Sequence, residues 1–267
     1  MKARARPKLT ERDVRRRTHS QNFLRSHGLV RTLVRDAKVG ADDIVIEPGA
    51  GTGVITAELA KRARRVVAIE LDPDWARRLE ERFADVPNVE VRHEDFFEYG
   101  LPRAAYRVFA NIPLGVTTRL LRHLLHDPRR APARADLIVQ LEVARKHSRA
   151  RAPNALTASW QPWYELELVR RIPAQAFRPV PRVDAALLAI TKRTEPLLEP
   201  AERGAFAAFV DAAFAGRTVW EGLRRVLTAN QVKQLRRHSG LPADAAPASL
   251  TVADWVALYE GARRFGP

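Results

Sequence analysis

The sequence predicts an α/β fold, a doubly wound parallel sheet closed by an antiparallel pair and followed by a small all-helical C-terminal domain. Three observations carry that expectation. Apolar runs of strand length alternate with helical patterns over residues 29–139, a glycine-rich turn follows the first strand of that series, and beyond residue 195 the pattern is helical throughout. Strands separated by helices of this length form parallel sheets whose ligands sit at the carboxyl ends of the strands.

In order, residues 29–37 read as a helix and Ile44-Val45-Ile46 as a short buried strand, followed by the glycine turn and a helix over 54–64. Val66-Val67-Ala68-Ile69 is the next strand and 73–83 the next helix. Val89-Glu90-Val91 and Arg107-Val108-Phe109-Ala110 are strands, with a helix over 117–125 behind the latter, and Leu137-Ile138-Val139 continues the series. Leu166-Glu167-Leu168-Val169 and Ala186-Leu187-Leu188-Ala189-Ile190 read as the closing antiparallel pair, joined through Phe177-Arg178-Pro179-Val180-Pro181. Helices over 205–214, 219–227, 231–238 and 252–264 complete the chain. The expected organisation is a basic flexible tail, 1–17, an α/β domain, 18–194, and a helical domain, 195–267.

With 267 residues, 46% of them hydrophobic, the chain can bury one sizeable core plus a smaller appended one. Its 46 Lys and Arg against 31 Asp and Glu leave a net charge of +15, which favours a polyanionic partner, nucleic acid before a membrane surface. No apolar run reaches the roughly 18 residues of a spanning helix, and the N-terminus lacks a signal-type stretch, so a cytoplasmic protein is expected. The absence of cysteine excludes disulfides and thiolate metal sites, and seven histidines without ligand spacing give no reason to expect a metal. His147, Trp160 and Trp163 read as core or surface filler. The tail, with Lys2, Arg4, Arg6, Lys8, Arg12, Arg15, Arg16 and Arg17, cannot bury enough surface to offset its ordering entropy. A solvated tail and a phosphate-contacting arm both fit it.

Two short runs carry the chemistry. Glu47-Pro48-Gly49-Ala50-Gly51-Thr52-Gly53 follows a strand and opens a helix, so Gly49, Gly51 and Gly53 let the backbone turn tightly and approach a ligand. The G-x-G-x-G spacing departs from the dinucleotide fingerprint and matches the form common in methyltransferases that use S-adenosylmethionine (SAM), whose cofactor has no pyrophosphate to seat. Glu70, ending the next strand, is placed to accept both ribose hydroxyls, and Asp95, with Phe96 beside it, can accept the adenine amino group. The second run is Asn111-Ile112-Pro113-Leu114. An adenine N6 amine is a poor nucleophile because its lone pair is delocalised into the ring. The Asn111 side-chain oxygen and the Ile112 carbonyl can each accept one N–H and favour a pyramidal nitrogen, with Pro113 fixing the backbone.

With these motifs the chain resembles the Erm family of rRNA adenine N6-methyltransferases, relatives of the KsgA small-subunit rRNA dimethylases. The resemblance runs from Ser20-Gln21-Asn22-Phe23 through both motifs and the Phe177-x-Pro-x-Pro181 segment into the helical C-terminal part. Ser-Gln-Asn-Phe favours the Erm branch. The resemblance implies a Rossmann-like catalytic domain with SAM as cofactor. The cofactor-binding set it implies is Gln21, Asn22, Leu24, Gly49, Gly51, Gly53, Glu70, Leu71, Asp95, Phe96 and Asn111, with Phe177 as an aromatic wall for the target base. It further implies a monomer acting on protein-free or precursor 23S rRNA, and protection against macrolide, lincosamide and streptogramin B drugs. Arg122, Arg145 and Lys146 align with basic positions that face rRNA in that family, and Arg149 and Arg151 extend the run.

One position departs from the family, which usually carries Tyr or Phe where this chain has Leu114. Base stacking on an aromatic ring is worth about 1–3 kcal/mol, so the change can cost roughly one to two decades in a binding-limited rate. Three outcomes fit: Phe177 and a Leu contact suffice, the enzyme is slow or mainly monomethylating, or the substrate base differs; the retained Asn111 and Phe177 favour the first two, and mono- and dimethylation both stay open. So do two other readings: a KsgA-like enzyme of ribosome biogenesis, and an RNA-binding or transcription-accessory relative with weak turnover. N6 is unreachable inside a paired stack, so a loop or bulge of structured RNA suits the site better than duplex DNA.

Overall fold

The computed structural model describes residues 23–113 and 115–264. Gln21, Asn22, Leu114 and the basic tail lie outside the described residues. In chain order the elements are β1 (Phe23–Leu24), α1 (His27–Asp36), β2 (Ile44–Pro48), α2 (Val54–Ala60), β3 (Arg65–Glu70), α3 (Pro73–Phe83), β4 (Val89–His93), β5 (Arg107–Asn111), α4 (Thr117–Leu125) and β6 (Arg134–Gln140). They continue with α5 (Leu141–His147), α6 (Ala155–Ala158), β7 (Tyr164–Ile172), β8 (Phe177–Arg178), β9 (Ala185–Lys192), α7 (Arg203–Phe214), α8 (Val219–Leu223), α9 (Ala229–His238) and α10 (Val252–Arg264).

Seven strands form one sheet in the order β4-β3-β2-β5-β6-β9-β7. The first five are mutually parallel, and β9 pairs antiparallel with both β6 and β7. Central strands covered on both faces need continuous apolar runs, and β2, β3 and β6 supply them. The order reverses between β2 and β5, so a crevice opens at their carboxyl ends.

Local chemistry sets the flanking helices. The Asp72 side chain accepts from the Asp74 and Trp75 N–H groups and Pro73 opens α3, an N-terminus with its orphan donors satisfied. Gly53 caps α2 at a φ of 72°, and a Cβ there would lie 2.7 Å from Leu79 Cδ2 and from Phe83 Cε2. Its bareness therefore lets α2 start against α3. α2 ends at Ala60, four residues short of the expected 64, because the Asn88 amide donates to the carbonyls of Ala60 (2.8 Å) and Ala63 (3.0 Å) and turns the chain toward β3.

One buried cluster runs from the sheet through Trp160, Trp163 and Tyr164 to Phe206, Trp255 and Tyr259 of the helical part. Trp163 Nε1 donates to the Leu198 carbonyl at 2.8 Å, and Phe206 stands edge-on to Trp163 and Tyr259. His147 is buried 2.8 Å from Thr157 Oγ1, and burial pushes its pKa down to about 4. His147, Trp160 and Trp163 are core residues. On the opposite face a second cluster joins α1, Leu24 and Phe177 to β2 and β9.

At the end of the sheet away from the crevice, Arg107 donates to the carbonyls of Lys38 and Ala37 and to the carboxylates of Asp43 and Asp136. Asp136, with 1% of its side chain exposed, is also held by Arg134. Removing one partner strands buried charge and carbonyls, so Arg107→Ala should cost about 3 kcal/mol in urea unfolding. A loss below about 1 kcal/mol would show the network to be dispensable. Among the described residues no helix is long and apolar enough to cross a membrane, and no group of three or more His, Asp or Glu side chains could hold a metal ion.

Candidate active site

The crevice is a cleft of about 890 Å³, counting the part open to solvent. One wall is the turn from Gly49 to Thr52, the other is Asn111, Ile112 and Pro113 with Gln140, and Phe23, Leu24, Phe177, Pro181 and Val183 close it over. The glycine turn is strapped to β3. Gly49 and Ala50 N–H donate to the Ile69 carbonyl at 2.8 and 3.2 Å, and Gly51 N–H donates to Glu70 Oε2 at 2.8 Å. Gly49, Gly51 and Gly53 take φ values of 69°, 53° and 72°, a left-handed run that side-chain-bearing residues avoid. Their tasks differ. Gly49 is exposed and Gly51 lines the cleft under Phe23, whose Cε1 lies 2.8 Å from where a Cβ would sit, whereas Gly53 packs against α3 outside the cleft.

Glu70 ends β3 almost fully buried, its Oε1 accepting from Asp72 N–H at 2.9 Å and its Oε2 from Gly51. A carboxylate has about four acceptor directions, so these two bonds orient the group and leave capacity for a ligand. Leu71 follows it at 51% exposure, an apolar side chain beside a buried acid. Asp95 lies next to this edge, since Glu94 N–H donates to the Glu70 carbonyl at 3.2 Å. Its Oδ1 accepts from Phe97 N–H at 2.9 Å, and Phe96 is buried edge-on to His123. Glu70, Leu71, Asp95 and Phe96 thus lie together at the ends of β3 and β4, outside the cleft proper.

Glu47, next to last in β2, lines the cleft at 1% exposure, an acid quoted in the sequence motif without a role. A lone Glu closing the apolar run Ile44-Val45-Ile46 was the available signal. Thr56 Oγ1 donates to its Oε2 at 2.6 Å. Burial pushes its pKa up to about 8, against the pull of Thr56 and with a further push from Glu70, so the carboxyl is largely neutral at pH 7. Between its ordinary 4.5 and about 8 the folded protein holds a proton that the unfolded chain releases, so this group's contribution to stability falls as pH rises through that window. Glu47→Gln keeps an acceptor for Thr56 and does not titrate. Melting temperatures of the ligand-free proteins should show the wild type losing ground to the variant between pH 5 and 8. Parallel curves would contradict the buried neutral carboxyl.

On the facing wall, β5 and β6 hold Asn111 opposite Ile138, and Ile112 N–H donates to the Ile138 carbonyl at 3.0 Å. The Pro113 carbonyl accepts from Val116 N–H at 3.1 Å and begins the turn into α4. The Asn111-Ile112-Pro113 backbone is therefore fixed at a strand end, with Asn111 half-buried on the cleft. Phe177, 2% exposed, reaches it from β8, which pairs with β1 so that Leu24 lies opposite Phe177. Sequence reasoning gave no role to Phe23, Gln140, Pro181, Val183 or Asp184, which join the lining only through this tertiary arrangement.

Arg122 is exposed on α4, and Arg145 and Lys146 are exposed on α5, which starts directly after Gln140 of the cleft. Arg145 pairs with Glu142 at 2.7 Å. Arg149 and Arg151 are exposed beyond it, with Arg151 bridged through its backbone to Thr251.

A doubly wound sheet with this strand order and a glycine-turn cleft at its reversal point is a Rossmann-like architecture built to hold a nucleoside ligand. Comparison narrows the class. The family model for ribosomal RNA adenine dimethylase matches residues 12–263, and the chain belongs to that family. It is 37% identical over 254 residues to an rRNA methyltransferase of Streptomyces thermotolerans, covering 94% of this chain and 84% of that one. It is 36% identical to the mycinamicin-resistance protein MyrB of Micromonospora griseorubida, covering 92% and 78%. The crystal structure of the 23S rRNA methyltransferase ErmE superposes with a TM-score of 0.79 at 32% identity, covering 91% of this chain and all of that one. The Erm resemblance read from the sequence is borne out.

Proposed function

We propose that the protein methylates N6 of an adenine in 23S rRNA, once or twice, with SAM as donor, and thereby protects ribosomes against macrolide, lincosamide and streptogramin B drugs. The observation that carries this reading is the single cleft in which the Gly49–Thr52 turn faces Asn111, Ile112 and Pro113. Family membership and the names of the relatives support the rRNA substrate and the resistance role.

The residues present fit the cofactor. Gly49 leaves open space where a side chain would stand, the buried acids Glu47 and Glu70 close the ends of β2 and β3, and exposed Leu71 offers an apolar surface for a base. When bound there, SAM supplies a methyl group made electrophilic by its positively charged sulfur. Glu70 would accept the ribose hydroxyls and Asp95 the adenine amino group, and Gln21, Asn22 and Leu24 would hold the methionine end. Across the cleft, Asn111 and the Ile112 carbonyl each accept one N–H of the target amine, and Phe177 holds the base plane. With its lone pair freed from the ring by these two acceptors, the nitrogen would be oriented to take up the methyl group, and its surplus proton would pass to water. No low-pKa base is needed, and positioning supplies most of the barrier reduction. Arg122, Arg145, Lys146, Arg149 and Arg151 contact RNA phosphates outside the cleft.

Expression in a macrolide-susceptible bacterium tests the whole reading. The inhibitory concentration of a macrolide should rise with the wild-type gene and stay at baseline with Asn111→Ala. Unchanged susceptibility despite fully methylated 23S rRNA would overturn the resistance role.

A further inference from the structure

Val180, between β8 and β9, is 57% exposed, more than any other large apolar side chain among the described residues. A single exposed valine is ordinary, but its setting is not. Phe177 and Pro181 on either side of it line the cleft, as does Val183, while Val180 does not. It therefore stands at the cleft's mouth. Pro179 and Pro181 flank it and restrict the backbone, so little ordering entropy remains to be lost on contact. Arg178 and Arg182 flank the prolines, both exposed and, among the described residues, without an ion pair.

Both ends of this loop are pinned. Phe23 and Leu24 pair with Arg178 and Phe177 on one side. On the other, the Asp184 carboxylate accepts from Arg171 Nε and from Ala174 N–H, each at 2.9 Å, while its carbonyl accepts from Leu141 N–H at 2.9 Å. The result is a tip pinned at both ends, bearing one apolar side chain between two exposed cations, mounted beside the cleft-lining Phe177 and Pro181.

Taking a base out of a folded RNA costs unstacking and leaves a gap, which proteins fill with apolar wedges. We propose that this loop is such a wedge: Val180 enters the gap left by the flipped adenine, and Arg178 and Arg182 grip the phosphates on either side. The proposal rests on the reading that the target is an adenine in structured RNA.

The test compares two substrates, protein-free 23S rRNA and a short unstructured RNA cut to the sequence around the mapped methylated adenine. Val180→Ser should lower kcat/KM on the folded RNA by about tenfold and leave the unstructured RNA within about twofold of wild type, because there no stack has to be opened. Val180→Ile should keep near-wild-type rates on both. Arg178→Gln combined with Arg182→Gln should raise KM for both RNAs and reduce the salt slope of binding by about two. Equal loss on both RNAs with Val180→Ser, or loss on neither, would overturn the wedge. Failure of the wild type on both RNAs would instead overturn the parent reading.

Discussion

Asn111→Ala should lower the methylation rate by about two to three orders of magnitude while SAM affinity by calorimetry stays within about threefold of wild type. The asymmetry follows from position. Asn111 is held at the end of β5 by pairing with Ile138, across the cleft from the glycine turn, so its side chain serves the acceptor more than the donor. Removing it leaves the amine planar and conjugated with the ring, a loss felt only in the transition state. The backbone is fixed by the Ile112 to Ile138 bond and does not depend on the side chain. A variant with near-wild-type turnover would remove the amine clamp from the mechanism.

Glu70→Ala should act on the other substrate. A charged acceptor contributes about 1.5–3 kcal/mol, so SAM should bind roughly ten- to a hundredfold more weakly. Part of that loss comes through the turn itself, because Gly51 N–H and Asp72 N–H both lose their acceptor. Glu70→Gln, which keeps acceptor oxygen but no charge, should fall between the two. Unchanged affinity for SAM in Glu70→Ala would separate Glu70 from the ribose and leave it a purely structural strap.

The sheet was legible because its strands are apolar runs bounded by breakers, and α3, α4 and α10 matched their expected spans because each pairs a clear amphipathic pattern with a firm start or stop. α5 was not legible. Leu141 continues the apolar run of β6, and no side-chain cap marks Gln140 as a helix start. The two-residue pairing of β1 with β8 joins segments some 150 positions apart, a register no local pattern encodes. The site divides the same way. Residues whose chemistry depends on local turns, such as Gly49, Gly51 and Asn111, could be picked from spacing, whereas Gln140 reaches the cleft because β6 lies beside β5, and Val183 and Asp184 because β9 returns beside β6. Gly53 had a clear spacing signal, but the reason for its lack of a side chain is the contact with Leu79 and Phe83.

The identity of the modified nucleoside bears most directly on the central claim. Purified protein incubated with SAM and protein-free 23S or small-subunit rRNA, followed by nuclease digestion and mass spectrometry, reads both the base and its atom of attachment. N6-methyladenosine or N6,N6-dimethyladenosine should come from 23S rRNA, at one mapped adenine, and none with Asn111→Ala. Methylation confined to small-subunit rRNA, a methyl group on another atom, or no transfer by the wild-type protein would contradict that claim.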